Sequence, residues 1–158
     1  IKNRYIQRSF ILGSQDKRSK AVDLKLNPVR SEIQGKNVLL VDDSIVRGTT
    51  SLRLINLVRR AGAKEVYFAS TCPPIRMPCY YGIDFPNPEE LLATNRTEVE
   101  IAQKLGANKV IYLDHDSLRE AIGLKSLCMA CLDGKYPTDI SAGKGFGAER
   151  SRQRGKSS

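Results

Sequence analysis

The spacing of hydrophobic residues changes along the chain, and each change marks an element. Asn37–Val41 is a short aliphatic run, suited to a parallel strand buried on both faces. In "TTSLRLINLVRRA", Thr49 to Ala61, apolar residues recur at helical spacing, with Leu52, Ile55 and Val58 marking one face. Thr and Ser residues open that segment and Gly62 stops it. "EVYFAST", Glu65 to Thr71, reads as a second strand. Strand, loop, helix and strand make a βαβ unit, which implies parallel pairing and a right-handed crossover. A short helix is expected over Pro88–Ala93, capped by Asn87. "TEVEIAQKLG" repeats the cap, helix and glycine stop. "KVIYL", Lys109 to Leu113, gives a third strand and "DSLREAIG" one more short helix. Residues 12–20 lack periodicity and read as a mobile basic loop. From about Gly134 the apolar pattern fades into a flexible basic tail. The fold class is α/β, without internal repeats.

Composition narrows this picture only in places. A chain of 158 residues suits one domain with a real core. No apolar run approaches the about 18 residues needed to span a bilayer, and no signal peptide opens the chain, so no membrane role and a cytoplasmic location are expected. The chain opens on Ile1 and reads as a piece of something longer. The net charge of +9 is uneven. Residues 1–36 carry nine Lys/Arg against three Asp/Glu, residues 37–133 eleven against twelve, and residues 134–158 six against two. A neutral middle with basic flanks suggests a polyanionic partner, with a merely solvated basic surface as the alternative. Neither aromatic interleaving nor a recognition helix accompanies it, which argues against nucleic acid and for a small, multiply phosphorylated substrate.

The candidate chemistry sits in "VLLVDDSIVRGTTS", Val38 to Ser51. Ligands of open α/β sheets bind at the carboxyl ends of strands, where Asp42 and Asp43 stand. The following residues lead into a helix N-terminus, whose unpaired amides and dipole favour an anion. Gly48 would let the backbone approach a phosphate, with Ser44, Thr49, Thr50 and Ser51 adding hydroxyls. Adjacent carboxylates would repel that same phosphate; they suit vicinal hydroxyls, magnesium, or both. A phosphate on a sugar diol meets both demands. Two capping aspartates before an ordinary helix are the bland alternative, and a P-loop is excluded because its lysine is missing. Four cysteines add a second candidate. "CMAC", Cys128 to Cys131, has metal-ligand spacing, compatible with zinc, an iron–sulfur cluster, a redox pair or buried thiols, and zinc on all four cysteines is the first reading of spacing alone. Cys72 follows a strand and reads as a small core residue, and His115 lies at a strand-to-helix turn.

The Val38–Ser51 stretch resembles the phosphoribosyl pyrophosphate (PRPP) motif of type I phosphoribosyltransferases. Together with "NRYIQRSFI", "KLNPVRSEIQGKN", "AGAKEVYFAS", "PPIRMPCYYGID", "EELLA" and "CMACLDGKYPTD", it is similar to the C-terminal part of the glutamine PRPP amidotransferase family, from about Asn3 to Asp139. The resemblance implies a Rossmann-like parallel sheet with flanking helices, incomplete on its N-terminal side. It divides the chain into residues 1–133, holding a mobile basic loop at about 12–27, a cysteine segment at 126–139, and a tail at 140–158. It implies that Asp42 and Asp43 hold the ribose hydroxyls and magnesium of Mg–PRPP. Ser44, Arg47, Gly48, Thr49, Thr50 and Ser51 would cradle the 5′-phosphate. Arg18, Lys20 and Lys25 would be the loop cations that meet the pyrophosphate, although Ser19, Asp23 and Leu24 depart from the family's more cationic loop. Some members carry a 4Fe-4S cluster, which implies Cys79, Cys128 and Cys131 as ligands with a fourth thiolate upstream. The family's glutaminase half, which supplies ammonia, would also lie upstream, and a homo-oligomeric full-length form is implied. A PRPP-binding transcriptional regulator of the same fold is the alternative, though nothing in sensing needs the two cysteine motifs. A nucleobase phosphoribosyltransferase is weaker still, for want of a base-recognition hood.

Overall fold

The computed structural model describes residues 26–83, 88–124 and 126–141. Three parallel strands, β1 (Asn37–Asp42), β2 (Glu65–Ser70) and β3 (Lys109–Tyr112), form a sheet in the order β1-β2-β3. The short α1 (Arg30–Ile33) precedes β1, α2 (Thr49–Arg60) links β1 to β2, and α3 (Glu98–Leu105) leads into β3. Two short helices follow, α4 (His115–Ile122) and α5 (Ala130–Asp133). Parallel pairing requires each strand to return through a crossover, so all three strands end on the same edge. The register places Asp42, Ser70 and Tyr112 side by side there.

Alternation along the strands decides which face is packed. Val66, Phe68 and Val110 point to one face and meet Ile55 and Val58 of α2 and Ile101, Ala102 and Leu105 of α3. Each such large side chain, fully withdrawn from water, contributes about 1.5–3 kcal/mol. On the opposite face Leu39 and Val41 are 55% and 64% exposed, with Ile111 beside them. The expectation that β1 is buried on both faces is therefore corrected: among the described residues the helices cover one face only. The stripe of α2 is corrected too. Ser51, Ile55 and Val58 face the core, whereas Leu52 is turned outward.

Capping explains where the later helices begin. Thr97 and Glu100 form a reciprocal capping box at the start of α3, and Asp114 accepts from the amides of Asp116 and Ser117 at the start of α4. Gly106 and Gly123 close the two helices in the left-handed conformation. The helix expected over Pro88–Ala93 shrinks to a single 3-10 turn, Pro88–Glu90, and Asn87 lies outside the described residues. Leu91, Leu92 and Ala93 are instead drawn into the core as irregular chain. A second core of Ile75, Leu91, Met129 and Leu132 lies alongside, with Val46, Cys72, Leu118, Leu127 and Cys131 packed on it. The apolar pattern fades at Gly134, yet the chain stays anchored beyond it. Tyr136 donates to the Pro78 carbonyl at 2.7 Å and packs its ring at a tilt against Tyr80, centroids 5.3 Å apart, and Thr138 meets the Tyr81 hydroxyl at 2.9 Å.

Candidate functional site

The loop between β1 and α2 starts from the sheet edge. Asp42 is half-buried as the last residue of β1, and Asp43 is exposed beyond it. The turn is tied to the end of β2: the Thr71 amide donates to the Asp42 carbonyl at 3.0 Å, and the Thr71 hydroxyl to the Asp43 carbonyl at 3.3 Å. Within the turn the Asp43 amide donates to Asp42 Oδ1 at 3.0 Å and the Ser44 hydroxyl to Asp43 Oδ1 at 3.2 Å. Ile45, 2% exposed, pins the next residue into the main core. Both carboxylates thus stay on the surface while the backbone beside them is fixed.

The loop then reverses into α2. Gly48 is its N-cap at φ 77°, and the first helical bond runs from the Leu52 amide to the Gly48 carbonyl at 2.8 Å. Unlike α3 and α4, α2 has no side-chain cap and no acidic residue in its first turn. The amides of Thr49, Thr50 and Ser51 therefore meet no acceptor among the described residues. Open amides at the positive end of a helix dipole suit a phosphate. Thr49 and Thr50 are exposed beside them, whereas Ser51 is buried.

Two loop residues are also held by contacts within the fold. A β-carbon on Gly48 would come within 2.7 Å of Leu92 Cδ2 and 3.0 Å of Leu105 Cδ2. Packing behind the loop and a left-handed φ thus demand glycine here, independently of any ligand. The Arg47 side chain is engaged by Glu90, Nε to Oε2 at 2.9 Å. Sequence reasoning missed Glu90, Leu92 and Leu105 as supports of the loop; only their place near "EELLA" and at the end of α3 could have pointed to them.

The thiols occupy a neighbouring corner. Cys131 lies against the second core, and its carbonyl accepts from the amides of Arg76 and Met77, each at 3.0 Å. Cys79 Sγ accepts from the Tyr81 amide at 3.4 Å. Burial, and then the charge of Cys79 with smaller effects of Cys72 and Cys128, pushes the Cys131 thiol up to about 11. Soft thiolates suit zinc or an iron–sulfur cluster. As thiolates Cys79, Cys128 and Cys131 have the donor chemistry for such a group. Among the described residues, however, no three His, Cys, Asp or Glu side chains converge as metal ligands. Cys72 is half-buried against the second core, as expected of a packing residue, and burial followed by the nearby Asp43 charge raises its thiol. His115 is the half-buried first residue of α4. Arg18, Lys20 and Lys25 lie outside the described residues, as does most of the 12–27 loop. Among the described residues no helix is long and apolar enough to cross a membrane.

No family model matches the chain. It is similar to curated amidophosphoribosyltransferases, at 56% identity over 149 residues to that of Methanocaldococcus jannaschii, covering 94% of this chain and 32% of the relative. To that of Methanothermobacter thermautotrophicus the identity is 51% over 142 residues, covering 89% and 30%. Among solved structures it matches the glutamine PRPP amidotransferase of B. subtilis complexed with ADP and GMP, with a TM-score of 0.74 and 47% identity over 89% of this chain and 32% of that one. The chain is thus homologous to amidophosphoribosyltransferases over most of its own length, and it spans about a third of theirs.

Proposed function

We propose that this chain carries the PRPP-binding part of an amidophosphoribosyltransferase. That enzyme converts PRPP, glutamine and water to 5-phosphoribosylamine, glutamate and pyrophosphate at the entry to purine synthesis. The observation that carries the reading is the start of α2, without a side-chain cap, at the end of the loop that follows Asp42 and Asp43, in a chain 56% identical to such an enzyme. The relatives named above are enzymes, which favours this reading over a PRPP-binding regulator.

In this reading the amides of Thr49, Thr50 and Ser51 hold the 5′-phosphate, with the Thr49 and Thr50 hydroxyls beside them. Asp42 and Asp43 accept from the ribose hydroxyls and would hold magnesium, which takes one or two carboxylates and completes its shell with water and substrate oxygens. Magnesium, when bound, neutralises the leaving pyrophosphate. Displacement at the anomeric carbon by ammonia then needs orientation and exclusion of water more than proton transfer. Arg18, Lys20 and Lys25 are assigned to closing over the pyrophosphate, and ammonia to a glutaminase domain outside this chain. Cys79, Cys128 and Cys131 would hold a 4Fe-4S cluster with a fourth thiolate upstream of this chain, acting as a cross-brace. A cytoplasmic, homo-oligomeric full-length protein completes the reading.

Calorimetry tests it. Magnesium-dependent binding of PRPP, lost in Asp43→Asn while ribose 5-phosphate still binds, is the expected outcome. Equal PRPP binding by Asp42→Asn, Asp43→Asn and the unsubstituted chain would sink the roles of both carboxylates. For the cluster, anaerobic reconstitution with iron and sulfide should give broad visible absorbance, whereas stoichiometric zinc in a colourless protein would refute it.

A further inference from the structure

Glu90, Leu92 and Leu105 fasten three successive residues of the phosphate loop. The Leu92 amide donates to the Val46 carbonyl at 2.8 Å, Glu90 accepts from Arg47 at 2.9 Å, and the Leu92 and Leu105 side chains close against Gly48. The Arg47 guanidinium is thereby bonded through Nε to a carboxylate 43 residues further along the chain. The backbone at 46–48 is also what aims the first turn of α2, because Gly48 is its N-cap.

We infer that Glu90 is a positioning residue of the anion site, acting through Arg47 to fix the 46–48 turn and so the open amides of Thr49, Thr50 and Ser51. The inference rests on reading those amides as the phosphate subsite. Its physical basis is preorganisation: a turn held from behind has already lost the freedom that a ligand would otherwise have to remove. Arg47 then serves the phosphate indirectly, while backbone amides and hydroxyls make the contacts. The opposing arrangement makes Arg47 a direct phosphate cation and Glu90 its competitor, and it predicts effects of opposite sign for Glu90.

The test is calorimetry of ribose 5-phosphate with the full chain and with Glu90→Ala, Arg47→Ala, the double variant and the charge swap Arg47→Glu/Glu90→Arg. Circular dichroism fixes a temperature at which every variant is folded. Each single substitution should weaken binding about threefold, the range half-exposed ion pairs reach. The double variant should be no weaker than either single, and the swap should recover most of the loss. A purely stabilising pair would lower the melting midpoint and leave affinity among folded variants unchanged, which overturns the inference. So would tighter binding in Glu90→Ala, losses that multiply in the double variant, or a swap weaker than both singles. If the unsubstituted chain fails to bind ribose 5-phosphate, the phosphate-site reading itself falls and this inference falls with it.

Discussion

Gly48→Ala separates the two reasons for a glycine in the loop. At φ 77° a residue with a β-carbon sits in left-handed space, at a cost of about 1–2 kcal/mol. The new carbon would stand 2.7 Å from Leu92 Cδ2 and 3.0 Å from Leu105 Cδ2, against a comfortable carbon–carbon separation of about 3.5–4.0 Å. Both contacts are side-chain ends, but Leu92 is 3% and Leu105 1% exposed, so neither has open space to swing into. The Leu92 backbone is also tied to Val46. Overpacking of this kind adds about 1–3 kcal/mol, for an expected loss of about 2–5 kcal/mol. At about 2–4 °C per kcal/mol for a chain of this length, the melting midpoint should fall by at least about 4 °C. Urea titration followed by circular dichroism measures the loss directly. Leu92→Ala should itself cost about 2–5 kcal/mol, yet combined with Gly48→Ala it should cost less than the two separately, because the truncated side chain leaves room for the new carbon. A loss below about 0.5 kcal/mol, the range of ordinary surface substitutions, would refute the packing argument. Normal stability with abolished ribose 5-phosphate binding would instead mean that the glycine serves the ligand's approach.

Asn108 Oδ1 accepts from the Val66 amide at 2.9 Å and from Arg59 Nη2 at 2.9 Å. Asn108→Ala leaves that amide unpaired beside the wholly buried Val66 and should cost about 1–3 kcal/mol in urea titration; an unchanged midpoint would show that the bond contributes nothing. The Tyr112 hydroxyl is buried without a hydrogen-bond partner among the described residues, and burial pushes its pKa up to about 12. Tyr112→Phe should therefore be neutral or slightly stabilising near pH 7, and a loss above about 1 kcal/mol would reveal a partner for that hydroxyl. Glu100 is held below its ordinary value of 4.5, first by the Thr97 amide and then by the Thr97 hydroxyl. A depressed carboxylate binds fewer protons folded than unfolded, so its stabilisation is present above pH 4.5 and is lost as pH falls through the folded value. The stability gap between the unsubstituted chain and Glu100→Gln should accordingly close in acid, and a gap that stays constant down to pH 3 would contradict the assignment.

Local rules in the sequence account for much of this architecture. The aliphatic run before Asp42, the Thr97 box and the glycines after α3 and α4 specify element type without help from distant residues. The positions that misled are those decided by tertiary contacts. Leu52 matches helical spacing as well as Ser51 does, but only the placement of β2 and α3 decides which of the two turns inward. Leu91, Leu92 and Ala93 have helical propensity and are used as core filler, because Leu92 must both bond Val46 and close over Gly48. The partner that holds the Arg47 side chain, Glu90, cannot be guessed from local pattern since 43 residues separate them.

The two chemical corners of the molecule are joined by packing. Val46, next to Arg47 in the loop, rests on the same small core as Cys72 and Cys131. The Arg76 and Met77 amides bind the Cys131 carbonyl, and the Arg76 guanidinium holds the carbonyls of Ala93 and Arg96 at 2.8 and 3.3 Å. Arg96 in turn holds the Leu92 carbonyl at 2.9 Å, and the Leu92 amide holds Val46. A continuous chain of hydrogen bonds therefore runs from the cysteine segment to the turn that opens α2. Close-packed interiors resist small displacements. The turn that opens α2 is thereby held by packing and hydrogen bonds that it shares with the cysteine segment.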